Sequence, residues 1–276
     1  MPVCIHKYLT SCKTNPQSPG FADFLRGTIA LYNLSKVYHF KLGIDNSHAL
    51  FQYLKSNENM ISLNPSFPVI EVLPPLSYED IYQNLENIFK NNKSFCTMTN
   101  SMYTFVNGKH ENFGYISEDC QLFLRNMLCP SFELEKRINE IFENIYQFTI
   151  NEEFIIIHLR NGDDLLHDKN NYNDQLYWNQ YTRIKNIVDQ NTTIKKVLLC
   201  DSATIGRKIK EEIPELYYWD NSKVHLGDLI NNETNSVLDT LTDFFIMSKA
   251  KKIISCQHSG FSRVCSIIYD IPYIQL

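Results

Sequence analysis

The stretch Phe154-Ile155-Ile156-Ile157-His158-Leu159-Arg160-Asn161-Gly162-Asp163-Asp164 runs from unbroken apolar residues into a cluster of polar groups. An apolar, β-branched run that opens into a glycine-bearing turn predicts a strand buried on both faces of a parallel sheet. Ligands bind outside the carboxyl ends of the strands in open α/β sheets, so His158, Arg160 and Asp163 are expected at the mouth of a crevice. Arg160 leads the candidates, because the planar cationic fork of an arginine grips two phosphate oxygens at once. By itself, an arginine near an aspartate at a strand end also fits a surface ion pair.

The residues that follow alternate between two periods. Tyr177, Tyr181, Ile184, Ile187 and Val188 form a helical stripe; residues 196–200 read as a strand, 203–212 as a short helix and 216–219 as a strand. Val237, Leu238, Leu241, Phe245 and Met247 predict another helix, residues 252–255 a strand, 259–269 a last helix and 271–274 a last strand. Strands alternating with helices of this length predict a parallel, right-handed Rossmann-like sheet.

Two further polar clusters fall at carboxyl ends of these strands. Asp201 and Ser202 follow Cys200 directly; a carboxylate there can accept the adjacent N–H donors of a guanine ring, or can simply cap the next helix. Ser259, Gly260, Phe261 and Ser262 open a helix after the strand that ends at Ser255. Small hydroxylated residues and a glycine at a helix start make a phosphate cradle of backbone N–H groups and hydroxyls.

The order His158-x-Arg160-x-Gly162-Asp163 resembles the signature of the GDP-fucose-dependent fucosyltransferase superfamily, which takes in the α-1,2, α-1,6 and protein O-fucosyltransferases. Residues 242–269 resemble the α-1,6 type in order and spacing, with Asp243 and Ser259 at the matching positions. The resemblance implies a GT-B fold of two Rossmann-like domains, here 1–150 on the acceptor side and 151–276 binding the nucleotide sugar. It implies inverting transfer of fucose from GDP-fucose to a glycan or other hydroxyl, without a metal or other cofactor; no Asp-x-Asp triplet is present. Arg160 is then expected to neutralise the leaving diphosphate, His158, Asp201 and Asp243 to hold the nucleoside, and Ser259 to Ser262 the phosphates. Asp168 stands where a glutamate serves as base in the α-1,6 enzymes; Asp23, His167 or no side-chain base remain alternatives. A protein that keeps the fold and binds a nucleotide or glycan without catalysis, or one that transfers another sugar, also remains open.

Composition sets outer bounds. The chain has 276 residues, 43% of them hydrophobic and 21% charged, with a net charge of -5. That balance predicts a soluble globular protein and argues against a general nucleic-acid binder, which needs a basic surface. No run approaches the ~20 apolar residues of a membrane helix, and the polar first ten residues do not read as a signal peptide, so a cytoplasmic location without membrane insertion is expected. The eight cysteines show no Cys-x-x-Cys spacing, and Cys200 and Cys256, which end apolar runs, are expected as buried thiols. Sequons at Asn33, Asn191 and Asn232 carry no weight without secretion.

The first half is less regular. Residues 3–10 predict a strand, residues 15–20 an irregular loop, and Phe24, Ile29, Leu31 and Leu34 one face of a helix with Asp23 near its start. Strand, glycine loop and helix amino terminus make a ready anion site, which places Gly20 among the candidates. Gly20 to Gly27 is similar in position to the glycine loop of the fucosyltransferases but has Ala22 and Asp23 where their glycine and asparagine stand. Strands are expected at 36–42 and 67–72, helices at 47–55, 78–90 and 131–146, and a domain boundary at 149–152.

Overall fold

In the computed structural model, which describes residues 1–8, 20–61, 69–71, 87, 94–98, 116–161, 174–221, 226 and 234–276, strand β6 (Phe154–Leu159) is buried along its whole length. Its two faces go to different neighbours. Ile155, Ile157 and Leu159 join one core with Tyr177, Ile184, Ile205 and Ile209. Phe154 packs on the other side against Phe142 and Phe148, with ring centroids 5.4 and 5.8 Å away. A strand covered on both faces has no place for the polar half of an alternating pattern, which is why this run is continuously apolar. Burying each such side chain contributes roughly 1.5–3 kcal/mol.

β6 is the middle strand of a parallel five-stranded sheet, ordered β10-β9-β6-β7-β8. Its partners are β7 (Lys195–Cys200), β8 (Tyr217–Tyr218), β9 (Lys252–Ser255) and β10 (Tyr273–Gln275). The helices of this unit are α3 (Phe132–Glu140), α4 (Asp174–Gln190), α5 (Ala203–Glu212), α6 (Thr234–Met247) and α7 (Gly260–Tyr269). Ser131 caps α3 by accepting from the Leu134 N–H at 3.4 Å, and α3 then passes into a π-helical turn over Ile141–Tyr146. Successive strands run outward from β6 to β8, after which the chain crosses back to β9 on the other side of β6. That reversal is a topological switch point, and it lies between β6 and β9.

The other compact unit takes Met1–Cys129 with Leu226–Asn232, against Pro130–His225 with Glu233–Leu276 for the unit just described. Its sheet is ordered β3-β2-β1-β5-β4 and is parallel throughout among the described residues. The strands are β1 (Val3–Lys7), β2 (Lys41–Asp45), β3 (Met60–Ile61), β4 (Val69–Glu71) and β5 (Phe95–Met98). Helix α1 (Phe21–Tyr38) follows Gly20, and α2 (Glu118–Met127) is capped by Ser117, which accepts from the Cys120 N–H.

Two local expectations change. Residues 36–38 belong to α1, and the strand begins only at Lys41: α1 ends where His39 turns left-handed at φ 55°, so Val37 and Tyr38 are helical in spite of their strand preference. The helix expected over 47–55 is a 3-10 turn, Ala49–Tyr53. The helix expected at 78–90 lies outside the described residues but for Asn87. Among the described residues no helix is long and apolar enough to cross a membrane.

Candidate active site

Beyond β6 and β7 the two strand ends are tied together through side chains. Asp201 follows Cys200, and its carboxylate accepts the backbone N–H of Asn161 at 2.8 and 2.9 Å and the Asn161 side-chain amide at 2.6 Å. Arg160 Nη1 stands 3.5 Å from the same carboxylate. Asn161 in turn accepts through Oδ1 from Gln180 Nε2 of α4 at 2.7 Å. The Asp201 side chain is 6% exposed while that of Arg160 is 27% exposed, so the cation reaches solvent from a base that is shut in. Ser202, beside Asp201, caps α5 by accepting from the Ile205 N–H at 3.4 Å.

On the other side of β6, the Cys256 N–H donates to His158 O at 2.9 Å and joins the ends of β6 and β9. The chain then turns into α7, whose first residues keep N–H groups with no acceptor inside the helix. Ser259 stands at the cap position, is buried, and makes no capping bond through its hydroxyl. Ser262 donates weakly to Ser255 Oγ and to Ser259 O, both at 3.5 Å. Phe261 lies between His158 and Phe244, with ring centroids 6.2 and 5.3 Å away. Arg183 of α4 donates to Cys256 O at 3.0 Å, bracing the turn. Burial pushes the Cys256 thiol up to about 12, with Arg183 pulling weakly the other way, so this cysteine is a neutral packing residue.

Asp243 stands in α6, nearly buried. Its Oδ1 accepts from Trp219 Nε1 at 2.9 Å and from Asn221 Nδ2 at 3.3 Å, and Arg137 lies over the Trp219 ring at 5.3 Å. Tyr218, just before this group, packs into the notch left by Gly206 of α5; a Cβ at that glycine would sit 2.5 Å from the ring.

The structure therefore brings His158, Arg160, Asp201, Phe261 and the start of α7 to one edge of the sheet, and anchors Asp243 on the indole beyond β8. Gly20 is in the other unit, at the start of α1, where its N–H meets Asp23 Oδ2 at 3.2 Å and Asp23 pairs with Arg26 at 3.0 Å. Asp163 and Asp168 lie outside the described residues. Asn161, Gln180 and Trp219, which are not among the sequence candidates, hold these groups in place. Gln180 carried a signal: it falls on the apolar stripe that Tyr177, Tyr181 and Ile184 define, and a polar residue on a buried stripe needs a partner.

The fold has known counterparts. The fold is shared with fucosyltransferases. NodZ, an alpha-1,6-fucosyltransferase from Bradyrhizobium that has been co-crystallised with GDP, matches 100% of this chain over 94% of its own, with a TM-score of 0.60 and 15% identity. A point mutant of Arabidopsis thaliana FUT1 in complex with GDP matches 100% of this chain over 70% of its own, with a TM-score of 0.62 and 9% identity. POFUT1 in complex with GDP matches 99% over 98%, with a TM-score of 0.52 and 11% identity. No protein-family model matches the sequence, and no curated protein does. The two parallel sheets form a GT-B-like fold, as the family resemblance implies.

Proposed function

We propose that the protein is a fucosyltransferase that moves fucose from GDP-fucose to a hydroxyl of a glycan or other acceptor, inverting the anomeric carbon and using no divalent ion. One observation carries this reading: Arg160 after β6 and the amino terminus of α7 after β9 flank the switch point of the sheet, in a fold shared with fucosyltransferases crystallised with GDP or soaked with GDP-fucose. A guanidinium and a ring of helix N–H groups together suit a diphosphate.

In this reaction the acceptor oxygen forms a bond to the fucose anomeric carbon as that carbon's bond to the diphosphate oxygen breaks. The bonding pair leaves on GDP, and the acceptor proton passes to a base. Arg160 and the first N–H groups of α7 meet the charge that develops on the leaving diphosphate, where preorganised donors act most strongly. Ser259 to Ser262 complete that cradle. His158 and Phe261 present rings beside it, and with Asp243 they are assigned to the nucleoside. Asp201, whose carboxylate is engaged with Asn161 and Arg160, supports the arginine first and reaches the nucleotide second. Asp163 is assigned to the donor pocket and Asp168 to the base, and acceptor binding to the amino-terminal unit.

Isothermal titration with GDP and UDP, followed by mass analysis of products on a glycan panel with GDP-fucose, tests the reading. GDP binding with a product heavier by one fucosyl residue supports it. Binding without any product on the panel or by donor hydrolysis leaves a binding protein, and preference for UDP removes the guanosine donor.

A further inference from the structure

The bridge Asp201–Asn161–Gln180 fixes its own hydrogen-bond polarity. An ionised aspartate only accepts, so Asn161 must turn its Nδ2 to Asp201, at 2.6 Å. Its Oδ1 then faces Gln180, which must answer with Nε2, at 2.7 Å. The main chain repeats the constraint, because the Asn161 N–H also points at the Asp201 carboxylate, at 2.8 Å to Oδ2. Asn161 is therefore held at backbone and side chain together, between β7 and α4. Arg160 is the residue before it, and its guanidinium lies 3.5 Å from the same carboxylate.

We propose that Asn161 is a positioning residue: bridging Asp201 and Gln180, it fixes the direction in which Arg160 leaves the end of β6 and so holds the guanidinium ready for a diphosphate. The inference rests on the donor reading above and adds to it residues that touch no substrate. Without the bridge, the chain after Leu159 would lose the bonds that stop it from pivoting, and the cation would lose part of its preorganisation.

The test compares binding of GDP and of guanosine to the intact chain by isothermal titration, in wild type, Asn161→Asp, Gln180→Leu, Arg160→Ala and the double variant Arg160→Ala/Asn161→Asp. Asn161→Asp keeps the shape and sets a second carboxylate against Asp201. Among the described residues, the charged groups near the position include Asp201 at the end of β7, Arg160 beside it, and Arg183 one turn from Gln180 in α4, which donates to Cys256 O. Two carboxylates sharing one site raise the affinity of the pair for a proton. At pH about 8 the Asp variant is expected to bind GDP at least about tenfold more weakly than wild type, a loss of the size that misdirecting one charge-assisted contact produces. As pH falls and one proton bridges the pair, its affinity relative to wild type at the same pH recovers. Gln180→Leu, which adds no charge, shows a smaller loss with no such recovery. Guanosine binding falls by less than GDP binding throughout, because Asp201 reaches the nucleotide only second, and in the Arg160→Ala background the loss that Asn161→Asp causes is smaller.

Wild-type GDP affinity in both Asn161→Asp and Gln180→Leu overturns the inference and leaves the donor reading standing. Equal losses with and without Arg160 do the same, since they mark a structural role. If Asn161→Asp fails to fold, Gln180→Leu with and without Arg160→Ala decides alone. A wild-type chain that binds no GDP takes the inference down together with the reading beneath it.

Discussion

Arg160 draws its chemical value from a buried base. Asp201 holds the main chain just past it, and the guanidinium is partly open to solvent, so a diphosphate can displace water without the arginine having to be pulled out of the core. A charge-assisted hydrogen bond contributes about 1.5–3 kcal/mol, so Arg160→Ala is expected to weaken GDP binding at least about tenfold, read by titration calorimetry. Arg160→Lys regains only part of the loss, because the ammonium lacks the fork; full affinity in the alanine variant would remove Arg160 from the donor site. The acceptor proton is a separate matter. If Asp168 is the base, Asp168→Asn leaves GDP affinity unchanged and lowers kcat by roughly the 10²–10⁴ that general base catalysis contributes, and near-normal turnover in that variant moves the role to Asp23, to His167 or to no side-chain base. At this scale the place where polarity begins could be read from the chain, because the apolar run stops where β6 stops. Asn161 could not, since nothing in its own neighbourhood names Asp201, which is forty positions away through the sheet.

Among the elements, the short turn after β2 carries a titratable cap. His48 caps the 3-10 turn Ala49–Tyr53 by accepting the Leu50 N–H on Nδ1 at 3.1 Å, so Nε2 carries the proton and meets Leu226 O at 3.1 Å. The ring also stacks on Tyr8 at 4.4 Å. Burial lowers its pKa from the ordinary 6.5, against the weaker upward pulls of the Leu226 carbonyl and Asp45. The unfolded chain therefore takes up a proton first as pH falls. The stability this histidine contributes is full above its unfolded pKa and is lost as pH falls from there through the lower folded one. Melting temperature is expected to drop more between about pH 7 and about pH 5 in wild type than in His48→Asn, which can cap but cannot titrate; parallel slopes would show that His48 is not the group responsible. In the core, Ile156→Ala in fully buried β6 is expected to cost about 2–5 kcal/mol in chemical denaturation. Elements of the carboxyl-terminal unit were legible because strand and helix periods alternate along the chain, with β7 and β9 passing into α5 and α7 within a few residues. The first half misled at residues 36–38, where Val37 and Tyr38 have strand preference yet continue α1 up to the left-handed His39. Local preference is worth well under 1 kcal/mol per residue, and the burial of α1 against its sheet outweighs it.

For the molecule as a whole, the fold is shared with fucosyltransferases at identities of 9–15%. What the sequence of this chain displays openly is the period of each element and the place where polarity begins. A parallel sheet gathers its polar strand ends on one edge, so a cation after β6 and a helix amino terminus after β9 stand on the same edge although a hundred residues of chain separate Arg160 from Gly260. Each contributes positive potential, one a full charge and the other roughly half of one from the aligned peptide dipoles. That sum is comparable to what a divalent ion leaves over once carboxylate ligands have partly neutralised it, and it stands in place before the substrate arrives. Transfer from GDP-fucose is therefore expected to proceed at an unchanged rate in EDTA and to gain nothing from added Mg²⁺ or Mn²⁺. Because the arginine then carries the larger share, turnover should fall steeply in Arg160→Ala with or without a metal present. Activity lost in EDTA and restored by Mn²⁺ would mean that a bound cation carries the diphosphate charge, and that Arg160 only assists it.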